Sequence, residues 1–325
     1  MTSANLNRPA LGILFICIGT IAISVNDLLI KVLSGGYPLH QMVFIRSAIG
    51  LLFTIGILFA EGGPRILRTS TPGVHLLRGV LVVLANMTFY AAVAVLPLAQ
   101  ATALFFVAPL FITLLSIPLL GERAGPLRIG AVIVGLIGVL IMQQPWNTNL
   151  EVSRLVLLLP VLAAALYALM QVLTRRLGVT TQASAMAIYI HGTFLAVSAG
   201  FFIFAGDGRF AQGATDDSVI FLLRAWAWPA DGDWLIFIGL GLCAGIVGYC
   251  LSASYRLADA AVIAPFEYVG LAMAILWGWA IFGDWPTTAT WAGCALILGA
   301  GIFVFFREQQ KARPQPGRRT RWGRR

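Results

Sequence analysis

Ten apolar stretches, each of roughly 20 residues, the length needed to cross a bilayer, follow one another through the chain. They fall near 10–33, 38–60, 74–95, 97–119, 126–143, 154–177, 183–205, 234–255, 259–282 and 288–306. This feature limits the fold more than any other. Inside lipid there is no water to bond the backbone, so each stretch must satisfy its own N–H and C=O groups as a helix. An all-α polytopic membrane protein of ten spans is expected. Charged residues make up 11% of the chain, against about 25% in a soluble domain that must solvate its surface. The connections are short except 206–233, which is rich in Asp and Gly. Its middle, "SVIFLLRAWAW", is too short to span and rich in Trp, a composition suited to the membrane interface.

The net charge of +9 is not a nucleic-acid signal, because eight basic residues and one acid sit in the tail 307–325, "REQQKARPQPGRRTRWGRR". A basic segment after a last span is a topology anchor drawn to anionic lipid. Further basic residues lie in the 2–3 connection (Arg65, Arg68), the 4–5 connection (Arg123, Arg128) and the 6–7 connection (Arg175, Arg176). Connections 3–4 and 9–10 have neither Lys nor Arg. This asymmetry places both termini in the cytoplasm, which requires an even number of spans and so a retained first one rather than a cleaved leader. Cys17, Cys243, Cys250 and Cys294 lie in apolar spans without metal spacing and read as small buried hydrophobes. No metal or other cofactor is expected, and without a nucleotide-binding loop the chain is not an ATP-driven pump.

The chain is written twice. A shift of 144 lays "DLLIK" (27–31) over "QVLTR" (171–175). A shift of 159 lays Tyr90 over Tyr249 and "LAQA" (98–101) over "LADA" (257–260), and a shift of 162 lays Gly121 and Glu122 over Gly283 and Asp284. The long 206–233 connection absorbs the change in offset. The repeats are 1–145 and 146–306, followed by the tail. Five spans is an odd number, so the second copy enters the membrane inverted, the arrangement of secondary transporters working by alternating access. Gly130 and Gly138 in span 5 match Gly293 and Gly301 in span 10, small-residue faces that allow close helix contact or a homodimer.

Polar residues inside the spans are the candidate site, since an ionised group at mid-bilayer costs about 2.5–3.5 kcal/mol unless paired or facing water. Asp27 and Lys31 share one face of span 1, and Arg46 in span 2 lies at the depth of Asp27, which makes an Asp27–Arg46 pair the leading expected contact. Either the pair staples spans 1 and 2, with Lys31 snorkelling to the headgroups, or Asp27 touches cargo. Glu267 lies close to the midplane of span 9, with no basic residue in its span. It is a candidate to carry a coupling proton or to hold a cationic cargo. Pro265, and Pro109 in span 4, loosen their helices and are candidate hinges. Tyr90 and Tyr249, with Tyr268 beside Glu267, can stack on a ring, and otherwise are packing aromatics. Asn86, Asn26 and Gln171 are hydrogen-bonding candidates or interhelical glue. Arg78, with His75, reads as a gate residue or positive-inside anchor at the end of span 3. His191 reads as a satisfied buried imidazole, and His40 lies in an outer turn.

The stretches "NDLLIK" (26–31), Arg46, "HLLRG" (75–79), "PLLGERAG" (118–125) and "ADAAVIAPFEY" (258–268) resemble the drug/metabolite transporter superfamily, in its ten-span EamA-type members. The helix 1, 3 and 9 motifs are similar to those of S-adenosylmethionine uptake and riboflavin uptake transporters. The resemblance implies a bacterial inner-membrane carrier of a small polar or zwitterionic, ring-bearing metabolite, with uptake favoured over export of amino-acid-type metabolites. It also implies a central cavity lined by spans 1, 3, 4, 6, 8 and 9, with spans 5 and 10 peripheral. A membrane-embedded enzyme would instead need acids or histidines clustered at the interface, and the acids outside the spans are scattered.

Overall fold

The computed structural model describes residues 9–69, 71–121, 125–144, 153–177, 183–257 and 264–312. The described residues are helical, with no strand among them. In chain order the helices are α1 (Pro9–Leu33), α2 (Leu39–Glu61), α3 (Pro72–Val93), α4 (Leu98–Phe105), α5 (Ala108–Leu120), α6 (Pro126–Gln143), α7 (Arg154–Leu177), α8 (Ala183–Ala205), α9 (Asp217–Leu223), α10 (Trp234–Leu257), α11 (Val269–Phe282) and α12 (Thr288–Ala312). Seven stretches are long and apolar enough to cross a membrane. Three shorter apolar helices, Ile129–Gln143, Phe266–Phe282 and Thr288–Val304, stand where spans 5, 9 and 10 are expected. Leu52, Phe59, Leu155 and Ile203 are exposed, which is the outward face a bilayer solvates and water does not. The basic residues 313–325, and the side chains of Arg123, Arg128, Arg175 and Arg176, lie outside what is described.

The principal packing partners are α1 with α10, α3 with α7, α2 with α8, α6 with α12, and α2 with α10. Further pairs are α3 with α8, α5 with α7, α1 with α11, and α4 with α11. A core of Ile30, Leu39, Met42, Val93, Leu98, Phe221, Phe237 and Leu240 fills the end of the bundle where α1 meets α2, here called the loop end. A second core, including Leu104, Leu110, Val132, Leu271 and Ile297, lies around α4, α5, α6, α11 and α12. At the α6–α12 contact, a Cβ on Gly138 would lie 3.0 Å from the carbonyl oxygen of Gly293. The glycines at 138 and 293 thus bring two helices of one chain together. A Cβ on Gly301 would collide with the Tyr268 hydroxyl, whereas Gly130 faces open space.

Span 4 is broken into α4 and α5 at Phe106 and Val107. Pro109 has no N–H to donate into the preceding turn, and the chain crosses the break with Leu110 N–H donating to Val107 O at 3.0 Å. The described part of span 9 opens on a 3₁₀ turn, Ala264–Tyr268, which contains Pro265 and leads into α11.

The 206–233 segment does not lie out along the lipid surface. Its helix α9, capped by Asp216 through Ser218 N–H and Val219 N–H, is docked on the loop end. Phe221 is buried in the core there, and Ser218 donates to Ala91 O of α3 at 2.8 Å. Gln41 of α2 exchanges two hydrogen bonds with the backbone of Ala227. Tyr37 donates to Asp233 at 2.6 Å and accepts from Ala230 N–H at 2.9 Å. The Asp233 carboxylate raises the phenol of Tyr37 above its ordinary pKa. His40, packed between Phe201 and Trp226, shares a 2.9 Å hydrogen bond through Nδ1 with Leu222 O. The segment covers the loop end with an apolar helix face because that end has an apolar core to complete.

Candidate functional site

Asp27 and Arg46 are both buried, and they do not meet directly. The Tyr90 hydroxyl stands between them: it donates to Asp27 Oδ1 at 2.8 Å and accepts from Arg46 at 3.4 Å. Asn26 makes a parallel bridge, its amide nitrogen 2.7 Å from the Tyr90 oxygen and 3.4 Å from Asp27, its carbonyl accepting from Arg46 at 3.3 Å. The other arm of the guanidinium donates to Asn86 at 2.7 Å. Arg46 also lies over the rings of Tyr90 and Phe194, 5.5 and 5.2 Å from their centroids. The expected ion pair is therefore relayed rather than direct. Asn86 and Tyr90 are one turn apart on α3 and face both charges, so the span 1–span 2 pair becomes a clasp of three helices. Phe194 was not legible as part of it.

Lys31 is neither a headgroup anchor nor a partner of Asp27. Its ammonium donates to Val93 O at 3.1 Å and Leu96 O at 2.6 Å, and lies 5.2 Å from the centre of the Phe282 ring. It satisfies the carbonyls left over at the end of α3, where a cation is also favoured by the helix dipole.

A second group gathers where spans 4, 6 and 9 meet. Gln171 donates to the hydroxyl of Tyr167 one turn away at 2.6 Å. The half-buried Glu267 lies close enough to act electrostatically on Tyr167 and on Tyr268. The rings of Tyr167 and Tyr268 approach Phe105 and Phe106 at the span 4 break, with centroids 5.5 and 5.3 Å apart. Tyr167 was missed in the sequence; its only signal is the i, i+4 spacing to Gln171. Tyr249 joins neither group and packs edge-on against Phe15 of α1 at 6.1 Å.

A third group lies toward the other end of α3. His75 stacks on Tyr189 of α8, 4.8 Å between ring centres, and the Tyr189 hydroxyl donates to Leu67 O. Arg78 is buried rather than snorkelling, at 8% exposure. The imidazole of His191 is not satisfied as expected: it packs against Gly50, whose Cβ would lie 2.8 Å from Cε1, and its Nδ1 has no partner. A cavity of about 10 Å³, room for one water, lies between α2, α3 and α8, lined by His40, Asn86, Phe194 and Ser198 among others. It is not the broad cavity between spans 1, 3, 4, 6, 8 and 9 that the resemblance implies. Among the described residues no three His, Cys, Asp or Glu side chains are placed to hold a metal.

The EamA-like transporter family matches residues 10–143. That stretch of the chain is similar to an EamA-like transporter domain. Relatives extend the likeness over nearly the whole length. A riboflavin transporter of Rhizobium johnstonii is 29% identical over 94% of this chain and 95% of its own. An S-adenosylmethionine uptake transporter of Rickettsia prowazekii is 23% identical over 92% and 94%. A pseudopaline exporter of Pseudomonas aeruginosa is 28% identical over 90% and 94%. A solved crystal structure matches with a TM-score of 0.59 at 21% identity, covering 94% of this chain and 98% of that one, a likeness of fold. The superfamily resemblance read from the motifs holds. The clasp around Tyr90 and the His75–Arg78 group fall inside the EamA-like region, while Glu267, Gln171 and Tyr249 lie beyond it.

Proposed function

We propose that the chain is a secondary transporter whose ten spans form two inverted repeats, 1–145 and 146–306, with both termini in the cytoplasm. The observation that carries this reading is the helix pairing. When each span is exchanged for the one five places away, the α1–α10 contact becomes α7–α3, and α2–α10 becomes α8–α3. The α1–α11 contact becomes α7–α5, while α2–α8, α4–α11 and α6–α12 return to themselves. Inverted repeats generate this exchange, and rocking of one repeat against the other is the motion it permits. Pro109, at the break in span 4, and Pro265, in the 3₁₀ turn before α11, occupy exchanged spans and serve as its hinges.

The cargo is a small polar or zwitterionic ring-bearing metabolite, as the riboflavin and S-adenosylmethionine relatives support, and uptake is favoured by the S-adenosylmethionine uptake relative. Tyr167, Gln171, Glu267 and Tyr268, where spans 4, 6 and 9 meet, contact cargo or carry a coupling proton. The Asp27, Asn26, Arg46, Asn86 and Tyr90 clasp holds spans 1 to 3 together. Tyr249, edge-on against Phe15, is a packing residue. The basic tail holds anionic lipid. The pseudopaline exporter favours a second reading, export of an amino-acid-type metabolite.

Rescue of auxotrophs for riboflavin and for S-adenosylmethionine tests the cargo; failure of both moves the reading to export. Counterflow in proteoliposomes tests the mechanism, since a carrier shows trans-acceleration and a channel does not. Glu267→Gln should reduce uptake or flatten its pH dependence. Full uptake with an unchanged pH profile removes Glu267 from both roles.

A further inference from the structure

Arg46 and Lys31, the other basic side chains described within the spans of this half, are met by three side chains and by two carbonyls respectively. Arg78 is not. It lies about 9 Å along α3 from its first residue. Its Nε is buried without a partner, and so is Nδ1 of His75 one turn before it. The ion pair found among the described residues, Arg209 with Asp207, is elsewhere, and none of the described residues forms an ion pair with Arg78. An arginine keeps its charge at any physiological pH, and a buried charge without a counter-charge is costly. A positive-inside anchor would avoid this by extending to the headgroups, but Arg78 is buried. The close approach of Gly79 to Thr193 sets this turn of α3 tightly against α8, and His75 is stacked on Tyr189 there. Two groups able to carry positive charge at i and i+3 share one helix face, an arrangement that an oxyanion between them would neutralise.

We propose that His75 and Arg78 form a subsite for an oxyanion, a carboxylate or phosphate, which the planar fork of Arg78 grips by two parallel hydrogen bonds. The oxyanion belongs to the cargo or to an anionic lipid headgroup of the adjacent leaflet. In the first case the inference deepens the transport reading and rests on it: the preferred cargo carries an anionic group, as S-adenosylmethionine does and riboflavin does not.

The test uses the purified full-length chain in phosphatidylcholine vesicles with and without phosphatidylglycerol. Binding of riboflavin and of riboflavin 5′-phosphate, which differ by the phosphate, is read by flavin fluorescence, and thermal unfolding is followed in parallel. If the anion comes from cargo, the phosphate form binds at least tenfold tighter, Arg78→Gln and His75→Gln each narrow that gap, and Arg78→Lys restores part of it. If it comes from lipid, phosphatidylglycerol raises the unfolding temperature of the parent chain and not of Arg78→Gln, with no preference between the flavins. A parent chain that neither prefers the phosphate form nor responds to phosphatidylglycerol overturns the subsite, however the variants behave. Absence of flavin counterflow with the phosphatidylglycerol response intact would instead remove a flavin as cargo and leave the oxyanion site standing.

Discussion

One helix, α3, carries two polar groups of opposite character, about 18 Å apart between Arg78 and Tyr90. Near the loop end, Tyr90 and Asn86 help complete a clasp in which one acid and one base are both satisfied. Toward the other end, Arg78 and His75 are as deeply buried and yet keep polar atoms unpartnered. Solvent exposure is similar at the two ends and charge balance is not. A balanced cluster needs nothing further and resists change; an unbalanced one is completed by something that arrives. The two ends also differ in cover, since the 206–233 segment closes over the loop end.

The largest expected effect breaks the balanced member. Arg46→Met leaves the Asp27 carboxylate buried without its counter-charge, and should lower stability by about 3–5 kcal/mol. Adding Asp27→Asn to Arg46→Met should recover most of that loss, because removing both charges removes the mismatch. Thermal unfolding of detergent-solubilised protein, followed by fluorescence-detected gel filtration, reads both. If the double variant is no better than the single one, the clasp is not a charge-balancing device. Tyr90→Phe comes next: it deletes the donor nearest Asp27 and should cost about 1–3 kcal/mol. The unbalanced member should respond with the opposite sign. Arg78→Met removes an uncompensated charge, so in phosphatidylcholine alone its stability should equal or exceed that of the parent chain. A loss as large as that of Arg46→Met would make the two ends alike.

The bundle was legible because a bilayer permits few solutions: apolar length places most helices within a few residues. The depth match of Asp27 with Arg46 was legible too, since helix rise converts sequence offset to height. What the sequence hid was the azimuth. Whether Tyr90 stands between two charges or faces a cavity depends on rotations of three helices, and nothing in one helix reports the rotation of another. Lys31 misled for the same reason, because its partners are backbone carbonyls of α3, and carbonyls carry no sequence signature. The docked 206–233 segment was misplaced because a short Trp-rich amphipathic stretch suits a lipid interface and a protein mouth equally. The apolar core waiting at the loop end favours the mouth.

The smallest effect concerns that cover. Tyr37 ties the turn after α1 to the end of the segment through Asp233 and Ala230 N–H. Tyr37→Phe should cost about 0.5–1.5 kcal/mol, felt locally as faster hydrogen exchange in 206–233 with little change in the clasp beneath. The bond also has a pH signature. The pKa of the phenol is raised in the folded chain by its bond to Asp233, so its contribution is whole below the ordinary phenol value of about 10. It is lost as pH climbs through the raised value, when phenolate faces carboxylate. Hydrogen exchange in 206–233, corrected for the intrinsic rate, should therefore hold level through neutral pH and rise only in strong alkali, and Tyr37→Phe should show no such rise. Equal acceleration around Asp27 and Tyr90 in Tyr37→Phe would mean that cover and clasp open together, and the loop end would then be a gate rather than a fixed support.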